Sequence, residues 1–103
     1  MLYRQGDVLI EQVASIPKGA RRVEVKGRIV LAEGEATGHA HTIAEQYGEL
    51  YEKDGTLYLR LSERDAPLTH QEHSTIVLPA RKAYRVVRQR EWTDADEPRQ
   101  VLD

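Results

Sequence analysis

The sequence predicts an all-β domain, a small antiparallel β-barrel or sandwich, on three observations. Short runs rich in Val, Ile, Leu and Tyr recur along the chain. Turn signals, several of them built on Gly or Pro, separate these runs. No stretch places apolar residues at helical spacing over three turns. At 103 residues the chain has the size of one domain with a single core. That domain is expected over residues 1–92. Residues 93–103, with Asp94, Asp96, Glu97 and Asp103, form an acidic tail.

Val8-Leu9-Ile10-Glu11-Gln12-Val13 reads as a strand that stops before the turn signal Pro17-Lys18-Gly19. Arg22-Val23-Glu24-Val25 alternates charged and apolar residues, and Ile29-Val30-Leu31-Ala32 is apolar throughout; Lys26-Gly27-Arg28 between them predicts a hairpin. Gly34 and Gly38 allow a bend before His39. The clearest local signal is Asp54-Gly55 between runs 49–53 and 56–61. A two-residue hairpin turn of this kind needs positive φ at both central residues, which Asp-Gly tolerates. The strand period of two then puts Leu57, Leu59 and Leu61 on one buried face. Ile76-Val77-Leu78 ends at Pro79, and Tyr84 to Trp92 closes the series, with Tyr84, Val86 and Trp92 of one parity.

Composition removes several classes of function. The apolar residues and five Tyr describe a globular chain, and no apolar run approaches the roughly 20 residues of a membrane helix. The first residues, Met1-Leu2-Tyr3-Arg4-Gln5-Gly6-Asp7, lack the pattern of a secretory signal, so a cytoplasmic location is expected. Without cysteine there are no disulfides, no thiolate nucleophile and no sulfur ligands. Fifteen Lys and Arg against 17 Asp and Glu argue against a dedicated nucleic-acid binder. Arg81, Lys82, Arg85, Arg88 and Arg90 nonetheless form a basic stretch, which reads as a solvated strand face.

The chemistry concentrates in the histidines. All four fall in two groups, His39-Ala40-His41 and His70-Gln71-Glu72-His73. Imidazole is the commonest neutral metal ligand and titrates nearest neutrality. On a strand, residues two apart share a face, so His39 and His41 converge without help from distant sequence. His70 and His73, three apart, join one site only where the chain turns or bulges; on a straight strand His70 would instead face with Glu72. Pro67 favours irregular backbone there, so both are expected to reach the site.

The stretch from Gly34 through His39-Ala40-His41 to Glu45 resembles the first motif of the cupins, small β-barrels in which Gly, a spacer, His-x-His and Glu occur in that order. The resemblance implies a cupin-like fold and a metal site built on His39 and His41, with Glu45 as an alternative ligand. The second cupin motif, Pro-x-Gly-x-x-His, has its counterpart in Pro79-Ala80-Arg81-Lys82-Ala83-Tyr84, where Arg81 stands at the glycine and Tyr84 at the histidine. The ligand lost there would have to come from His70 or His73.

A divalent transition metal is therefore expected on His39, His41, His70 and His73. Zinc or iron comes first, and manganese, nickel and copper are also compatible with nitrogen and oxygen ligands. Four imidazoles would close a tetrahedral shell; three would leave a position for water or substrate, consistent with a hydrolase or oxygenase acting on a small molecule. Glu72 is the candidate catalytic residue, as general base beside bound water, and could equally be a ligand or a partner that orients an imidazole. Two other readings stay open. One is a non-catalytic module that binds a ligand or a protein, with a structural metal or none, the basic stretch offering it a surface. The other is a metal-free phosphodiesterase using His73-Ser74-Thr75 in acid–base catalysis. A homodimer is compatible with each.

Overall fold

A computed structural model describes residues 1–34 and 38–88. Among these residues ten strands follow one another: β1 (Leu2–Gln5), β2 (Val8–Val13), β3 (Arg21–Val23), β4 (Arg28–Glu33), β5 (Ala40–Ala44), β6 (Gly48–Lys53), β7 (Thr56–Leu61), β8 (Ala66–Leu68), β9 (Ile76–Leu78) and β10 (Ala83–Arg88). A 3₁₀ turn at Glu45–Tyr47 lies between β5 and β6. None of the helical structure described is long and apolar enough to cross a membrane.

Six strands form one antiparallel sheet in the order β1-β2-β10-β7-β6-β3. The hairpins β4–β5 and β8–β9 make the opposing layer. Thr42 and Thr69 join those hairpins through reciprocal backbone hydrogen bonds of 3.0 and 2.9 Å. The sheets do not close into a barrel among the described residues, so of the two all-β architectures expected, the sandwich is the one formed. Val8, Ile10, Leu59, Leu61, Tyr84 and Val86 from the large sheet meet Ile29, Leu31, Ile43, Leu68 and Leu78 from the small layer, all buried.

The predicted turn chemistry is realised at Asp54-Gly55, where φ is 51° and 82° and Lys53 pairs with Thr56. Leu59 and Leu61 lie buried, and Leu57 packs on the core from its edge. The hairpin expected across Lys26-Gly27-Arg28 does not form: β3 pairs with β6 and β4 with β5. Gly27, at φ 80°, instead carries the chain from one layer to the other, because the continuous apolar run of β4 has a core to cover while β3 supplies a partly exposed edge. Strands β1 and β8 carry weak sequence signals; β8 contains Pro67, tolerated in a short strand whose one strand partner among the described residues is β9. Trp92, Arg90 and the acidic tail lie outside the described residues.

Central strand β10 has neighbours on both sides, β2 and β7, and buries Ala83, Tyr84, Val86 and Val87. Tyr84, at the position of the cupin motif's histidine, is a core residue rather than a ligand. Its hydroxyl donates to Pro79 O at 2.7 Å, and burial pushes its pKa up to about 12.

Candidate metal centre

The fold gathers the four histidines at one place, where the small layer meets the β1–β2 turn. His39 immediately precedes β5 and His41 lies within it. Both reach His70, with ring centres 5.6 and 4.3 Å away, as expected for residues two apart on a strand. The segment from His70 to His73 is a series of bends, not a strand. That irregularity lets both of its histidines turn inward: His73 lies 4.5 Å from His70 and 6.0 Å from His41, again between ring centres. The bend is pinned from two sides, by the Thr42–Thr69 bridge and by Gln71 Oε1, which accepts the Ala40 N–H at 2.9 Å.

His41 is 2% exposed and held by a residue whose role the sequence did not reveal. Gln5, equally buried at the end of β1, donates through Nε2 to Leu68 O at 2.8 Å and to Ser74 O at 3.0 Å. With both amide hydrogens committed, Gln5 Oε1 can only accept, so the 2.8 Å contact with His41 Nδ1 requires the proton on that nitrogen. His41 Nε2 is thereby left with its lone pair, 3.8 Å from Asp7 Oδ1. Burial, followed by the charge of nearby His70, lowers the His41 pKa to about 4, against the pull of Asp7, and so keeps the ring neutral at pH 7. His70 is lowered in the same direction by burial first and by His73 and His39 next.

Asp7 comes from the tight turn Gly6-Asp7, which joins β1 to β2 with Gln5 opposite Val8. Its other oxygen lies 3.5 Å from Arg88 on β10. Gly6 has φ 60°, and a Cβ there would come within 2.5 Å of His73 Nε2, so the turn needs glycine both for its backbone and for the imidazole against it. A Gly-Asp pair between Leu2-Tyr3-Arg4-Gln5 and the run from Val8 is the signal that could have located β1, and with it Gln5 and Asp7.

The two candidate glutamates separate. Glu72 stands at the rim, 67% exposed, its carboxylate 3.8 Å from His39 Nδ1, and its N–H donates to His70 Nδ1 at 3.0 Å. Glu45 stands apart: it follows the far end of β5 from His41, and its carboxylate accepts the Gly27 N–H. Its work is to secure the crossing between layers. Among the described residues, no three His, Asp or Glu side chains already stand in position to hold one ion together. The reasons are local. His70 spends Nδ1 on the Glu72 amide, and the His41 and His73 rings are nearly parallel, 12° apart.

Fold and site together define a small β-sandwich with a cluster of four imidazoles, one of them buried, neutral and fixed in its tautomer. The chain belongs to a family described as a domain of unknown function (DUF8820), whose match spans residues 4–89 and so includes Gln5, Asp7 and every histidine. No curated protein and no solved structure matches the chain.

Proposed function

We propose that the histidine cluster binds a divalent transition metal, with His41, His70 and His73 as the principal ligands and His39, Asp7 and Glu72 around them, and that a small molecule is bound or transformed there. The observation that carries this reading is the hydrogen bond from His41 Nδ1–H to Gln5, which leaves a buried, neutral Nε2 next to the Asp7 carboxylate in the histidine cluster. A ligating histidine is usually oriented in this way through its second nitrogen. Spacing adds support. Two imidazoles sharing a tetrahedral ion at about 2 Å have ring centres roughly 5 Å apart. The centres of His41, His70 and His73 are separated by 4.3, 4.5 and 6.0 Å.

Binding an ion on His70 through Nδ1 would require release of the hydrogen bond that this nitrogen accepts from the Glu72 N–H. The donor set of nitrogen with one or two carboxylates suits zinc or iron, and also manganese, nickel or copper. With three histidines as ligands, such an ion would keep a position at which it could acidify a water or polarise a bound oxygen. The exposed carboxylate of Glu72, 3.8 Å from His39 Nδ1, would take up a proton at that rim.

Metal analysis of untagged protein, followed by titration of chelator-treated protein with zinc, tests the proposal. One site per chain is expected. His41→Ala and His73→Ala should each abolish tight binding, and the double variant should lose no more than either alone, because the ligands act as a unit. Wild-type zinc affinity retained in His41→Ala would overturn it. The chelator-treated protein should remain folded, since its core is apolar and built without the cluster.

A further inference from the structure

At the opposite end of β2 from the histidines, roughly 20 Å away by strand length, the C-terminal ends of β2 and β7 and the start of β10 border an open surface pocket of about 460 Å³. Ser15, Arg60, Ser62, Glu63, Arg81 and Lys82 are among the residues that line it. Three of these are cations and one is an anion. Neither Arg81 nor Lys82 has an ion-pair partner among the described residues, and Arg60 lies with its guanidinium 5.9 Å from the Tyr51 ring centre. Among the described residues, an internal ion-pair network therefore does not account for the grouping.

The backbone singles out Arg81. It sits at φ 63°, the left-handed region that disfavours a side chain with a Cβ, and among the described residues it is one of two non-glycine residues so placed, the other being Asp54 of the hairpin turn. Asp54 is a residue type that turns of this kind accept; arginine is not. The conformation is held by Arg81 N–H donating to Ser62 O at 2.8 Å and by Leu61 N–H donating to Lys82 O at 3.0 Å. Glycine would satisfy the same turn without strain, so the local geometry gives no reason for arginine. What arginine adds is a planar fork of donors on a residue that lines the pocket together with Lys82, Ser15 and Ser62.

We infer that this open pocket is a second binding site, for a small phosphorylated molecule, with Arg81 and Lys82 as the groups that hold the phosphate. The guanidinium fork matches two phosphate oxygens at once, and the lysine adds a compact charge. The volume falls in the range of small-ligand sites.

Titration of the full chain with inorganic pyrophosphate, followed through backbone amide shifts, tests the assignment. Saturable changes are expected at residues 15, 61–63 and 81–83, with the histidine cluster unmoved. Arg81→Gly and Lys82→Met should each weaken binding by roughly tenfold or more, the loss of one charge-assisted contact. Arg81→Gly should at the same time unfold at a temperature no lower than wild type, because it relieves the backbone. Changes scattered over the surface, changes centred on the histidines, or affinity unaltered in both variants would each overturn the proposal. Lys82→Met, which leaves the strained turn intact, reports on binding should Arg81→Gly fold poorly.

Discussion

Gln5→Leu is the sharpest test of how the histidine cluster is held. The side chain is 2% exposed and makes three hydrogen bonds, to Leu68 O, Ser74 O and His41 Nδ1. Leucine fills about the same volume and removes all three. Ser74 is exposed and its carbonyl can turn to water, but Leu68 O and His41 Nδ1–H are left buried without their partner. An orphaned buried polar group costs about 1–3 kcal/mol. Two such groups, less the gain from an added apolar side chain, predict a loss of about 3 kcal/mol. In a domain of this size that lowers the midpoint of thermal unfolding by about 15 °C. Urea denaturation at pH 7.5 measures the loss directly, and imidazole nitrogen shifts report whether His41 still carries its proton on Nδ1. A loss below about 1 kcal/mol, or an unchanged tautomer, would refute the argument that Gln5 sets both.

The lowered pKa of His41 predicts a stability that falls in mild acid. An unfolded histidine titrates at 6.5 and the folded one at about 4. The unfolded chain therefore binds more protons between those values, so the contribution is intact above pH 6.5 and is lost as pH falls toward 4. The metal-free protein should lose about 2 kcal/mol between pH 7 and 5 from this residue, with His70 acting in the same direction. Denaturation at several pH values, with the His41 ring titrated by NMR, checks this; a His41 midpoint near 6.5 would contradict it. Gly55→Val places a β-branched residue at φ 82°, where it is strained, and should cost about 1–2 kcal/mol. Equal stability of that variant would mean that the Asp54-Gly55 turn contributes little to the fold.

Local rules were enough for much of this chain. The all-β class, the Asp54-Gly55 turn, the register that buries Leu59 and Leu61, and the shared direction of His39 and His41 follow from period and from turn chemistry, which act over a few residues. So does the need for the segment after Pro67 to bend if His70 and His73 are to meet. Which strand pairs with which does not follow from such rules. The run from Arg22 to Ala32 looks like a hairpin, yet its halves enter different layers, because pairing is decided by where each apolar face finds a core. Glu45 lies close in sequence to His41 and matches a motif, but the 3₁₀ turn directs its carboxylate to Gly27. Gln5 and Asp7 carry no motif and lie more than thirty residues from the first histidine pair; only the β1–β2 turn, packed beneath His73, brings them to the cluster. Arg81 shows the same division on the opposite side of the molecule. Its charge is plain in the sequence, while its left-handed backbone and its place beside Arg60 and Lys82 come from β7 and β10 meeting in the folded sheet.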